Sequence, residues 1–188
     1  MVIDYKFMSS ENKIKIREFY DQLGGRIYDI RYRDEQKIKY GKLLNMVDLG
    51  KNYLILDDGC GTGLLIRSLK TYVVGLDISE NLIFTARKRL KRRRYVSLII
   101  SDAEELPIRS NIFDLVFSVT LLQNLNNSVK ALNEMRRVAK KEGKILVTAL
   151  KKAFSEFDFK KLMESSFLQI NKIVLDDAFD WMALVSSC

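Results

Sequence analysis

Residues 54–63 read LILDDGCGTG. An apolar run ends in two adjacent carboxylates, Asp57 and Asp58, and then passes into glycines at every second position. A buried strand followed by a glycine turn and an amphipathic stretch is the start of a strand–loop–helix unit. Glycines at such a turn allow tight bending and let a ligand approach bare backbone. In an open parallel sheet, ligands sit beyond the carboxyl ends of the strands, near the point where strand order reverses. The loop is no phosphate-binding P-loop, because no Gly-Lys-Ser/Thr follows its spacer. It also departs from the dinucleotide fingerprint G-x-G-x-x-G, because Leu64 stands where the third glycine would fall.

Working outward, short apolar runs alternate with helical patterns. Strands are expected over Tyr53–Asp57, Tyr72–Asp77, Tyr95–Ser101, Ile112–Val119, Gly143–Leu150, Leu168–Leu175 and Asp180–Ser186. Helices are expected over Thr62–Lys70, Glu80–Lys91 (N-cap Ser79), Val129–Lys140 and Glu156–Ser165 (N-cap Ser155). This alternation predicts an α/β fold: a seven-stranded, mostly parallel, Rossmann-like sheet with helices on both faces. The short gap before the last strand predicts one antiparallel C-terminal strand. Residues 10–48 read as a helical cap in two pieces, broken near Gly24 and Gly25 and rich in tyrosine. We expect a single domain over residues 1–188, with the cap in 1–50 and the core in 51–188.

Composition narrows the chemistry. The 188 residues include 47% hydrophobic residues, suited to one globular core rather than disorder. No histidine is present, which removes Ser-His-Asp and Cys-His schemes and the usual zinc sets. No metal site is expected. The N-terminal residues lack the apolar core of a secretory signal, and no apolar run approaches a membrane span, so no membrane insertion is expected. The two cysteines, Cys60 and Cys188, form no disulfide framework, and a cytoplasmic location is the natural expectation.

Two further acids end successive strands: Asp77 after the second and Asp102, in Ser101-Asp102-Ala103, after the third. Each alone suits a helix cap or a solvated loop. Together with the glycine loop they suggest an adenosine-type ligand, with Asp77 at the ribose hydroxyls and Asp102 at the adenine amino group.

The series LILDDGCGTG, VVGLDIS, SDAEELPI, NIFDLVFSVTLLQNL and LNEMRRVAKKEGKILVTAL resembles the motif series of class I S-adenosylmethionine-dependent methyltransferases. It is most similar to the branch of the ubiquinone/menaquinone-biosynthesis methyltransferases. The resemblance covers residues 14–186 and implies S-adenosyl-L-methionine as cofactor and S-adenosyl-L-homocysteine as product. It implies Asp57 beneath the methionine end, inside a loop of Gly59, Cys60, Gly61 and Gly63. It further implies Asp77 at the ribose, Ile78 against the adenine, and Asp102 with Ala103 at the adenine edge. Ser118, Val119 and Gln123 would pass near the sulfonium, with Tyr20 and Tyr28 in the cover. Asp58 replaces a residue that is usually apolar, so a structural role is expected for it. On that reading Asp58→Leu leaves cofactor affinity nearly unchanged, whereas Asp57→Asn does not. The turn after the fourth strand lacks the Asn/Asp-Pro-Pro-Tyr/Phe motif of enzymes that methylate exocyclic or amide nitrogens.

No catalytic side chain is nominated, since an aligned nucleophile and a good leaving group can suffice. The acceptor stays open between a macromolecule such as tRNA or protein, slightly favoured, and a small molecule of the quinone-biosynthesis type. A non-catalytic module that binds the cofactor or RNA is the alternative outside enzymes. The short stretch Lys151–Phe154 predicts a pocket open on that side, fit for a macromolecule or a small activating subunit. Arg26, Arg31, Arg33, Lys151 and Lys152 are candidates to attract an anionic acceptor, with solvated surface as the equal alternative. Residues 87–94, RKRLKRRR, carry seven of the positive charges in a chain of net +8. Their place at a helix C-terminus, away from the cofactor edge, favours a structural role over nucleic-acid binding.

Overall fold

A computed structural model describes residues 11–174 and 179–187. The cap residues before Glu11, the expected strand end at Leu175, and Cys188 lie outside the described residues. Seven strands form one sheet: β1 Leu54–Asp58, β2 Tyr72–Asp77, β3 Val96–Ile100, β4 Phe113–Ser118, β5 Ala139–Leu150, β6 Leu168–Val174 and β7 Asp180–Ser187. Their spatial order is β3-β2-β1-β4-β5-β7-β6. All neighbouring pairs are parallel except those of β7, which runs antiparallel to both β5 and β6. The order reverses between β1 and β4, which puts the glycine loop after β1 at the switch point.

Five helices accompany the sheet among the described residues: α1 Glu11–Leu44, α2 Leu64–Ser68, α3 Glu80–Leu90, α4 Ser128–Val138 and α5 Glu156–Ser165. Strand alternation divides the core into two layers. On one face Leu56, Val116 and Ile145 pack with Leu132 and Met135 of α4 and Phe159 of α5. On the other, Ile55, Leu115 and Leu146 pack with Leu43 of α1, Ile66 of α2 and Ala86 of α3. The same alternation sends Asp58 to the α4 face and Asp57 to the α1 face.

The cap breaks where the sequence expects it to. Gly24 is non-helical inside α1, at φ 66° and ψ 154°. At Gly25 a Cβ would lie 2.2 Å from Thr85 Oγ1, so a residue without a side chain lets α1 approach α3. Both expected N-caps form: Ser79 Oγ accepts from Leu82 N at 3.2 Å and Ser155 Oγ from Asp158 N at 3.1 Å.

Two helices of the core depart from expectation by more than a residue at an end. The helix expected to reach Lys140 stops at Val138, and Ala139 already pairs with Phe113 as the start of β5. A register shift then separates this first pairing from the one between Leu115 and Lys144. Backbone atoms of Phe113 and Lys140 lie within 2.9 Å of where a Gly143 Cβ would stand, so glycine is what allows this crowded bend. The helix expected over Thr62–Lys70 is only Leu64–Ser68, because Gly63 holds a left-handed conformation at its start.

The basic run is also less uniform than expected. Arg89, in the last turn of α3, reaches the Thr62 carbonyl of the glycine loop and the carboxylate of Asp29 in α1. Arg93 donates to the Leu69 carbonyl after α2. These arginines tie α3 to its neighbours and are not simply solvated.

Candidate functional site

The glycine loop is fixed from β2. Gly59 N and Cys60 N both donate to the Leu76 carbonyl at 2.8 Å. Asp77 then organises the turn: Oδ2 accepts from Gly61 N at 2.8 Å and Oδ1 from Ser79 N at 2.9 Å. Gly61 adopts φ 53° with the Tyr28 hydroxyl 3.2 Å from where its Cβ would be, so a side chain here meets both strain and the roof. Burial pushes Asp77 up to about 6, opposed by the hydrogen bonds from Ser79 and Gly61.

A cavity opens beyond the carboxyl ends of β1 to β4. Gly59, Asp77, Ile78, Asp102, Ala103 and Val119 line it, and Tyr20 and Tyr28 of α1 form its roof. The roof is a run of ring contacts: Phe19–Tyr20 at 5.2 Å, Tyr20–Tyr28 at 6.1 Å and Tyr28–Tyr32 at 5.0 Å between centroids. Asn124 Nδ2 donates to the Tyr20 hydroxyl at 3.1 Å, which ties the roof to the turn after β4. At the rim after β3, Lys13 bridges Asp102 at 2.6 Å and Glu104 at 2.8 Å. Glu104 in turn accepts from Asn126 N and Asn127 N. The loop after β3 is thereby held against both α1 and the start of α4.

Several residues named from the sequence stand elsewhere. Asp57 does not line this cavity; it faces Tyr40 and Cys60 on the α1 side, and burial, with the charge of Asp77, pushes it up to about 8. Cys60 packs in the core, where burial raises its thiol well above the usual range, so it holds no thiolate nucleophile. Gly61 and Gly63 shape the loop from behind the lining. Ser118 is buried, and its hydroxyl has no partner among the described residues. Gln123 lines a second cavity and donates through Nε2 to the Thr120 carbonyl.

That second cavity holds about 500 Å³ and adjoins the first across Tyr20, Tyr28 and Thr120. Tyr32, Lys151, Lys152 and Phe179 also line it, as do Glu35, Gln36 and Leu150. Arg26, Arg31 and Arg33 are exposed and line neither cavity, and Arg33 pairs with Asp29 at 3.3 Å.

Sequence reasoning missed Asp58, Lys13, Glu104 and Thr120 on the cavity walls. For Asp58 the signal was present in strand alternation, but nothing in the sequence said which face of β1 held the cavity. Thr120 carried no signal at all. It adopts φ 56°, an outlier for a β-branched residue, at the seam between the two cavities. A buried polar network holds it there. Lys39 Nζ, only 1% exposed, reaches Glu35 at 2.6 Å, Asp180 at 2.8 Å and the Thr120 hydroxyl at 3.2 Å. Asp180 also accepts from Thr148 Oγ1 at 2.8 Å and from Thr120 Oγ1 at 3.0 Å.

With this geometry in view, comparison with known proteins is specific. Residues 56–147 match the family described as "Methyltransferase domain". Over this stretch, about half of its length, the chain carries a class I S-adenosylmethionine-dependent methyltransferase domain related to the ubiquinone/menaquinone branch. A malonyl-[acyl-carrier protein] O-methyltransferase of Buchnera aphidicola is 36% identical over 151 residues, 74% of this chain and 60% of that protein. The ubiquinone/menaquinone biosynthesis C-methyltransferase UbiE of Burkholderia vietnamiensis is 36% identical over 124 residues, 58% of this chain and 51% of its own. The chain thus spans between half and three fifths of the length of these curated relatives.

Two solved structures show the same fold. Magnesium protoporphyrin IX methyltransferase of Synechocystis, with bound S-adenosylmethionine, superposes at TM-score 0.72 and 18% identity, covering 97% of this chain and all of its own. A structure of the Haloferax volcanii Trm112 methyltransferase activator in complex with a methyltransferase matches at TM-score 0.79 and 14% identity, covering 90% of this chain and 98% of the matched one. Among the described residues no helix is long and apolar enough to cross a membrane.

Proposed function

We propose that this protein transfers a methyl group from S-adenosylmethionine, with the donor in the first cavity and the acceptor in the second. The observation that carries this reading is the junction of the two cavities at Tyr20, Tyr28 and Thr120, beside the glycine loop at the sheet's switch point. The cofactor supplies a methyl group on a sulfonium, an excellent leaving group. Asp77 accepts from ribose hydroxyls while keeping the loop in place, Asp102 accepts from the adenine amino group, and Ile78 packs on the ring. The site suits such a ligand chemically, since its floor carries the buried carboxylate oxygens of Asp58, which have no hydrogen-bond partner among the described residues. The space enclosed beneath the tyrosines is about 70 Å³, well under that of ordinary ligand pockets. Binding therefore requires the roof of α1 to lift, and its return excludes water from the transfer.

The second cavity suits an acceptor with an anionic group. Aromatic walls offer packing area, and Lys151 and Lys152 lie where a carboxylate or phosphate would enter. Its size fits a small molecule or one group presented by a carrier. A macromolecular acceptor is the second reading, favoured by the short Lys151–Phe154 connection and the net charge of +8. A second chain that completes the open side belongs to that second reading, and a methyltransferase of Haloferax volcanii with this fold is found in complex with the Trm112 activator.

Transfer of radiolabel from S-[methyl-³H]adenosylmethionine to fractionated cell extract tests both. Label in the small-molecule fraction supports the first acceptor reading, and label confined to protein or RNA supports the second. No transfer by a chain that binds the donor tightly would favour a binding module instead.

A further inference from the structure

An unpartnered carboxylate in a protein interior is costly unless a ligand arrives to meet it. Asp58 is such a group. It is fully buried at the cavity floor, and neither Oδ1 nor Oδ2 has a hydrogen-bond partner among the described residues. Register sets Leu76 and Ser118 beside it on β2 and β4, and the Ser118 hydroxyl offers it no hydrogen bond.

The lining around it runs against the bulk charge of the chain. In a protein of net +8, Asp58, Asp77, Asp102 and Glu104 face the cavity. Lys13 answers them, and its ammonium is already held by Asp102 and Glu104. An acidic concave surface with little water selects for positive charge.

We propose that Asp58 reads the charge of the ligand in this cavity, favouring the cationic sulfonium cofactor over the neutral thioether product. The proposal rests on the methyl-donor reading above and gives it a means of releasing product. When the methyl carbon bonds to a lone pair of the acceptor, the carbon–sulfur bonding pair stays on sulfur. The positive charge at sulfur is then gone, and with it the attraction to Asp58.

The groups around Asp58 bear this out. Burial raises its carboxyl well above the usual range, and the charges of Asp57, Asp77, Asp102 and Glu134 raise it further. These stand on β1 (Asp57, on the opposite face of the sheet), β2, the loop after β3, and α4. Glu104 of that same loop and Lys13 of α1 complete the charged surroundings on the cavity wall. Burial and the charges of Asp57, Asp77, Asp102 and Glu134 all act against the ionised form of Asp58 in the free protein. A cation in the cavity favours the ionised form and expels the Asp58 proton, whereas a neutral ligand does not. Affinity for the cation accordingly rises with pH until Asp58 ionises in the free protein.

Calorimetric titration of S-adenosylmethionine and of S-adenosylhomocysteine into the full chain tests this, in buffers of different ionisation heat. As pH rises through the window in which Asp58 titrates, the affinity for the former should gain about tenfold on the latter, with up to about half a proton released on binding at the middle of that window. Asp58→Asn should lose both effects and keep its affinity for the thioether. A flat ratio in the wild type would overturn the proposal. So would pH dependence that survives in Asp58→Asn, which would belong to Asp57 or Asp77. The proton count on the wild type needs no variant, so it stands even where a variant folds poorly. Binding of neither ligand at any pH is a different failure, one that removes the donor reading itself.

Discussion

Asp58, on the wall of the first cavity, and Asp180, behind Thr120 where the two cavities join, are both fully buried acids, and they live differently. Asp180 is ringed by donors: the Lys39 ammonium at 2.8 Å, the Thr148 hydroxyl at 2.8 Å and the Thr120 hydroxyl at 3.0 Å. Asp58 has none among the described residues. A buried acid with a full set of donors belongs to the architecture, here tying α1 to β7 and fixing the outlying backbone of Thr120. A buried acid without them, facing a cavity, calls for an explanation beyond the architecture.

That contrast can be broken first at Lys39. Lys39→Met leaves Asp180 as an uncompensated buried charge and should cost about 3–5 kcal/mol in denaturant unfolding. A loss no larger than that of an average surface substitution would show that the network carries little. Next, Asp77→Ala removes a charged acceptor and the anchor of Gly61 N. It should weaken S-adenosylhomocysteine binding by about 1.5–3 kcal/mol, read by calorimetry, and unchanged affinity would move the ligand elsewhere.

Asp58→Leu sharpens the comparison from the other side. Removing an unsatisfied buried acid should raise folding stability by about 1 kcal/mol, the opposite sign from Lys39→Met, while the charge discrimination of the cavity is lost. A destabilised variant would mean that Asp58 has a structural partner after all.

The remaining effect is a slope. Folded Asp57 keeps its proton up to about 8, whereas an unfolded aspartate loses it near 3.8. Between those values the native state binds more protons than the unfolded chain, so stability is complete below about pH 4 and declines as pH rises toward about 8. Asp57→Asn should flatten that decline in thermal melts across the same window, and an unchanged slope would shift the liability to Asp58 or Asp77.

Much of this was legible in LILDDGCGTG and the runs that follow it. The alternation of apolar strand and amphipathic helix dictates a parallel sheet, because each element must bury one face. The glycine spacing and the acids ending β2 and β3 mark the carboxyl edge and the class of ligand. The N-caps Ser79 and Ser155 and the break at Gly24 are local chemistry, and local chemistry is visible in sequence. The end of α4 was not visible, because Ala139 and Lys140 suit a helix locally and only pairing with Phe113 draws them into β5.

The sequence by itself determined the sheet, the loop and the family. Tertiary structure decided which neighbour of the Asp57–Asp58 pair meets the cavity. Alternation guarantees that the two point to opposite faces, but which face is open depends on where α1 and α4 pack. It also decided that Lys39, Thr120, Thr148 and Asp180, spread over 142 positions of chain, share one buried network. Such contacts come from the crossing of distant elements, and no local pattern encodes them.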